Sequence, residues 1–156
     1  MKILFIAMSN SIHTARWINQ IADQGWEIYL FPSDIFEIPN ENIRGVKIFN
    51  SRLFNRFVKA YKREKNNNSI NQNLLSNQNF SFYAFSKKIF DKLFPNYYAK
   101  KLTKIIKKIK PDIIHSLHVQ KGGYVVLNVK KIFSMAFPKW IVSNWGSELA
   151  LFSYIR

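Results

Sequence analysis

The chain has 156 residues, 47% of them apolar, enough for one hydrophobic core and ordinarily one domain. It has no cysteine, which excludes a disulfide framework and a thiolate metal site, and its three histidines, His13, His115 and His118, form no HExxH-like cluster, so no metal is expected. The formal charge of +15 is concentrated between Arg52 and Lys110, where fifteen Lys and Arg stand against Glu64 and Asp91, a net charge of +13. Such a window attracts nucleic acid, an anionic bilayer surface or acidic substrates, and charge alone does not choose among them.

The opening run KILFIAM, Lys2 to Met8, is too short for a secretory signal and lacks a cleavage site, so it reads as a strand buried on both faces of a parallel sheet. No segment approaches the roughly 18 apolar residues of a membrane span, and the expected compartment is the cytoplasm. A helix is predicted from about Ile12 to Gln24. Ser9, Asn10 and Ser11 are candidate N-caps, Ala15, Ile18 and Ala22 keep helical spacing, and Gly25 suits a left-handed residue just past the end. WEIYLF, Trp26 to Phe31, is a second strand stopped by Pro32, and GVKIFN after Gly45 a third. Strand, helix and strand within about thirty residues make the right-handed crossover of a doubly wound fold.

The basic window reads as two helices around a break. Leu53, Phe57, Val58 and Tyr61 share helical spacing in the first, and Leu102, Ile105, Ile106 and Ile109 in the second, with lysines on its other face. Between them, the Asn-rich stretch 66–79 reads as a flexible loop or insertion. PDIIHSLH, Pro111 to His118, is a fourth strand. KGGYVVLNVKKIFSMAF is a helix opening at Gly122 and Gly123, and a fifth strand, Trp140 to Ser143, ends in a turn at Gly146. A doubly wound domain usually continues further, so this one is expected to be incomplete at the C-terminus.

Open α/β sheets bind ligands beyond the carboxyl ends of their strands. Three stretches fall there, SNSIHTAR, HSLHVQKGG and NWGSEL, and together they hold all three histidines. His13 falls in a first helical turn, near the positive end of the macrodipole, where a neutral imidazole can hydrogen-bond a hydroxyl such as a sugar's. Arg16, one turn along, gains nothing from the dipole at a helix start and is best explained by an anionic partner, a carboxylate or a phosphate. Period-two alternation puts Asp112, Ile114, Ser116 and His118 on one face of the fourth strand and His115 on the other, deeper in the strand. His118 should border the crevice, and a packed histidine is the simpler reading of His115. The Gly122–Gly123 pair lacks the full GxGxxG pattern of a phosphate loop. Glu148, after the turn at Gly146, is either a carboxylate at a helix start or an acceptor for ligand hydroxyls. The tryptophans read as packing residues, with Trp145 kept as a candidate sugar platform.

MKILFIAMSNSIHTARWINQIADQGWEIYLF, KPDIIHSLH and IVSNWGSEL, in that order, resemble the N-terminal domain of glycosyltransferase family 4 proteins, while 50–110 shows no motif that can be placed. The resemblance implies an α/β fold, a Rossmann-like doubly wound parallel sheet with helices on both faces, forming the acceptor-side domain of a two-domain GT-B enzyme. Such an enzyme moves a sugar from a nucleotide sugar, its donor substrate, to a lipid-linked or polysaccharide acceptor, without a metal or other cofactor, often at the cytoplasmic membrane face. By position, His118 matches the histidine beside the reacting sugar, with His115 as its alternative. Ser11, His13 and Arg16 match the polar loop after the first strand, and Gly146 and Glu148 the turn after the fifth. The donor domain is absent from residues 1–156, so the chain alone is expected to be inactive, as a gene fragment, a pseudogene product or half of a split enzyme partnered by a separately encoded donor domain. The basic middle, with Phe80, Phe82, Phe85, Phe90, Phe94, Tyr97 and Tyr98, would suit an anionic membrane surface near a lipid acceptor.

The competing reading is a basic module that binds nucleic acid or a membrane surface without catalysis. Recognised RNA-binding signatures are missing and the aromatics keep helix-core spacing. A receiver-like domain would need acids after the first strand, where this chain has Ser, Asn and His.

Overall fold

The computed structural model describes residues 1–34, 37–49 and 96–144. The chain divides into two units, residues 1–51 with 99–156 and residues 52–98, and the second contributes only Asn96 to Tyr98 to the described residues. The elements are β1 (Lys2–Ala7), α1 (Ile12–Asn19), β2 (Glu27–Pro32), β3 (Val46–Ile48), α2 (Tyr97–Ile109), β4 (Ile113–Leu117), a π-helical turn (Val119–Gly123), α3 (Tyr124–Ile132) and β5 (Lys139–Ser143). The five strands form one parallel sheet in the order β3-β2-β1-β4-β5.

β1 is buried because it is apolar on both faces: Ile3 to Ala7 are at most 5% exposed. Its register pairs Phe5 with Leu30 on one side and His115 on the other, and Ile6 with Phe31 and Ser116. Alternation then sorts the side chains into two faces. α1 closes the first, where Ile18 joins Ile3, Phe5, Ala7, Ile28, Leu30 and Leu117 in one core cluster. On the second, Lys101 of α2 and Lys130 of α3 hold their ammonium groups 5.8 Å and 5.9 Å from the ring centres of Phe31 and Trp140. Helices therefore cover both faces, and the chain has an α/β Rossmann-like architecture. The register of β4 is pinned at its start by Asp112, whose Oδ2 accepts the Lys2 amide at 2.7 Å while its own N–H donates to the Lys2 carbonyl at 2.9 Å.

The strands match the predicted ones within two or three residues, but two helices do not run as predicted. α1 stops at Asn19 instead of Gln24. The Asn19 side chain is committed outside the helix, its amide donating to the Asn42 carbonyl at 2.7 Å and its oxygen accepting the Arg44 N–H at 3.0 Å. The following residues tighten into bonds three residues apart, Ile21 to Ile18 and Gln24 to Ile21. Gly25 is left-handed, at φ 68, but closes this turn and not the helix. The predicted helix at 121–137 is also divided. Its glycines belong to the π turn, and Phe133 turns extended, with its ring edge-to-face on Phe137 at 5.4 Å, to start the return to β5. The first predicted helix, the Asn-rich loop and the start of the second predicted helix, up to residue 95, lie outside the described residues; the rest of the second is α2, whose Leu102, Ile105, Ile106 and Ile109 face inward as expected.

The glycine pair has a packing cause. A Cβ on Gly122 would lie 2.6 Å from the Ile6 carbonyl oxygen and 3.3 Å from that of Leu117, whereas one on Gly123 would meet nothing closer than 3.8 Å. The π turn rests on the end of β1 only because residue 122 has no side chain. Gly122→Ala should lower unfolding free energy by about 1–3 kcal/mol in urea denaturation, and Gly123→Ala should leave it nearly unchanged. Equal effects would show that the close approach is not limiting.

Candidate functional site

The carboxyl ends of β1, β4 and β5 lie along one edge because these strands are parallel neighbours. In the first loop, Ser11 caps α1, its hydroxyl accepting the His13 amide at 3.2 Å. His13 and Arg16 are exposed on α1. Shortening the helix changes the argument for Arg16. In a helix of eight residues it sits in the last turn, where the carbonyl end favours a cation, so the dipole gives no reason to expect an anionic partner.

His118 ends the fourth strand with φ 90 and ψ 120, a conformation that side-chain-bearing residues adopt at a cost on the order of 1–3 kcal/mol. Its N–H donates to the Ser143 carbonyl at 3.0 Å, and its carbonyl accepts the Gly123 N–H at 3.0 Å. Its Nδ1 accepts the Lys121 amide at 3.4 Å, an assignment that leaves Nε2 carrying the proton in the neutral ring. The imidazole is thus half-buried and oriented at the crevice edge.

His115, three residues earlier, packs on the opposite face of the sheet from Ser116. Its ring lies 5.2 Å from that of Phe5 and meets the Trp17 edge at 5.6 Å, and Nε2 bonds the Ser143 hydroxyl at 2.7 Å. Burial pushes its pKa below the ordinary histidine value. It is a packed histidine, held by the Ser143 side chain. Trp140 bonds the Ser116 hydroxyl through its indole N–H at 2.9 Å, in keeping with a packing role. Gly146, Glu148 and Trp145 lie outside the described residues. Among those residues no three His, Asp or Glu side chains are grouped to hold a metal ion.

A carboxylate that the sequence reading passed over lies at the same edge. Glu37, in the loop after β2, is buried and accepts the Ser9 amide, the Ser9 hydroxyl at 3.1 Å and the Ser33 hydroxyl at 3.0 Å. Burial raises its pKa, against these bonds, and buried Asp34 adds to the rise. The loop after β2 is also a carboxyl-end loop, so the rule that selected the other three stretches would have selected SDIFE as well. Thr14 Oγ1 is buried without a hydrogen-bond partner among the described residues.

Two variants test this geometry. His118→Gly should be more stable than His118→Ala by about 1 kcal/mol in urea denaturation, reversing the usual order, because both lose the Nδ1 bond and only glycine relieves the backbone strain. For Glu37 the folded state binds its proton more tightly than the unfolded state. Its contribution is therefore greatest below the ordinary value of 4.5 and is lost as pH rises through the folded pKa. Glu37→Gln should remove that downward slope from stability measured against pH, and an unchanged slope would assign it to another group.

No helix among the described residues is long and apolar enough to cross a membrane. The family described as glycosyl transferase 4-like matches residues 64–153, which takes in β4, the π turn, β5 and part of the middle region that showed no motif. No curated protein matches the chain. With more than half its length matched, including the strained histidine and its flanking strands, the chain belongs to the glycosyl transferase 4-like family and has a glycosyltransferase-related role.

Proposed function

We propose that this chain is the acceptor-side, N-terminal domain of a GT-B glycosyltransferase that moves a sugar from a nucleotide sugar to a lipid-linked or polysaccharide acceptor. The observation that carries the reading is His118, a strained and oriented imidazole at the carboxyl edge, inside the segment that matches the family. In such a transfer the bond from the anomeric carbon to the nucleotide's phosphate oxygen breaks, and an acceptor hydroxyl forms the new bond and gives up its proton. A histidine held beside the reacting sugar can hydrogen-bond it as that charge moves. His13, Arg16, Gly146 and Glu148 contact the acceptor, Ser11 fixes the loop that carries His13, and His115 supports the strand beneath His118. The donor is held by a second Rossmann-like domain, without a metal ion or other cofactor. It works on the cytoplasmic face of a membrane as a peripheral protein.

Combined with a donor-side domain of the family, the chain should transfer radiolabelled sugar from a nucleotide sugar to a lipid-linked acceptor. His118→Ala should lower kcat about 100-fold or more while the far-UV circular dichroism stays unchanged. Near-normal turnover in this variant would sink the assignment of His118.

A further inference from the structure

The loops after β1 and β2 are joined through one side chain. Glu37 takes both donors of Ser9, the amide and the hydroxyl, on Oε2, and the Ser33 hydroxyl on Oε1 at 3.0 Å. Backbone bonds run alongside, from the Ser33 N–H to the Ala7 carbonyl and from the Asn40 N–H to the Ser9 carbonyl, both at 2.8 Å. Ser9 is fully buried and Glu37 is 7% exposed, so neither can exchange its partner for water unless the two loops part.

Neither loop brings a cation to this carboxyl. The chain has 24 Lys and Arg, yet Met8 to Ile12 and Ser33 to Asn40 contain no basic residue. His13 and Arg16 of α1 are exposed, and Lys101 of α2 is drawn to the Phe31 ring, at 5.8 Å. Among the described residues the charged group whose field reaches Glu37 is Asp34, itself buried and of the same sign. A neutral acid suits such a place. Oε2 goes on accepting both Ser9 bonds, and Oε1 donates its proton to the Ser33 hydroxyl oxygen in place of accepting from it. An ionised Glu37 keeps its three bonds but sets a second negative charge beside Asp34 away from water.

We propose that Glu37 is a proton-operated clasp, which holds the loops after β1 and β2 together when neutral and lets the first loop open when ionised. Burial, aided by Asp34, keeps the proton on Glu37 above the ordinary value of 4.5, whereas in an opened loop the carboxyl meets water and returns to it. By linkage, each pH unit between 4.5 and the folded pKa multiplies the open fraction by about ten. The clasp is strongest below that window, and opening levels off above it. The loop carries Ser11 and His13, so its opening changes how the carboxyl edge meets a ligand. That consequence rests on the reading of His13 as an acceptor contact, while the clasp itself is measured without acceptor or donor domain.

The test is NMR of the full 156-residue chain across the acid and neutral range. The Glu37 carboxyl carbon should titrate above 4.5, and protection of the Ser9 amide from hydrogen exchange, corrected for the intrinsic rate, should fall about tenfold per pH unit in the same window. As befits a local opening, Ser9 should exchange at least about tenfold faster than Leu4 and Ile6 of the paired β1. Glu37→Gln is neutral at every pH, with an oxygen for Ser9 and an amide donor for Ser33, so its Ser9 protection should be high and flat. In Glu37→Ala it should be flat and about tenfold or more below that of Glu37→Gln. A carboxyl titrating at or below 4.5, a Ser9 amide in wild type whose protection ignores pH, or the same decline in Glu37→Gln would each overturn the clasp. Equal protection of Ser9, Leu4 and Ile6 would overturn it in favour of unfolding of the whole sheet. If Glu37→Ala does not fold, wild type and Glu37→Gln decide. The transfer assay on His118 stands apart from these measurements, and its failure would leave the clasp in place.

Discussion

Ile3 to Ala7 are shut off from water on both faces of the sheet, and β1 gives its backbone to β2 on one side and β4 on the other. Burying each large aliphatic or aromatic side chain there is worth about 1.5–3 kcal/mol, so the strand cannot carry a polar group without losing a comparable amount. Polar chemistry is therefore expelled to the first position past the strand. Ser9, Ser11 and His13 follow Ala7 within six residues, and the ends of β4 and β5 come to the same edge because all strands run the same way. The polar edge is a consequence of the dry strand.

Loops at such an edge need to be held, and two contacts do this from opposite sides. On the β4 side, Gly122 lets the π turn close on the Ile6 carbonyl. On the β2 side, Glu37 takes three hydrogen bonds from Ser9 and Ser33, and Asn40 adds its N–H to the Ser9 carbonyl at 2.8 Å and its side-chain amide to the Asn10 carbonyl at 3.4 Å. The carboxylate's burial is costly, as its raised pKa records, and the cost is offset by satisfying donors that would otherwise be buried alone. The loop that carries His13 is thereby fixed at its base, which suits a surface that must meet a ligand in one geometry.

The sequence could be read wherever structure follows from local pattern. KILFIAM yielded a strand because a continuous apolar run leaves no other way to bury it, WEIYLF by its alternation and PDIIHSLH by a proline and aspartate before an apolar run, and alternation put His115 and Ser116 on opposite faces. The end of α1, the π turn and Glu37 were not legible for a common reason. Each is decided by a partner distant in sequence: Asn19 by Arg44, Gly122 by Ile6, Glu37 by Ser9. Helical spacing at Ala22 favoured continuing α1, but the tertiary bonds of Asn19 won. The error had a consequence, since placing Arg16 at a helix start supported an anionic partner that an eight-residue helix does not require.

His115 and His118 show how three residues of chain can separate packing from exposure. Within the strand, pairing and stacking leave His115 one position, against Phe5 and Trp17. Past its end, His118 holds a conformation it would not choose, and three bonds keep it there: from its amide to Ser143, from Gly123 to its carbonyl, and from Lys121 to Nδ1. The last two belong to the π turn, which passes into α3 without a break as the Tyr124 N–H donates to the Lys121 and Val119 carbonyls. Backbone strain at His118 and the position of α3 are thus joined by one continuous run of hydrogen bonds. A displacement of α3 against the sheet would reach the imidazole through hydrogen-bonded turns, without needing any side chain to relay it.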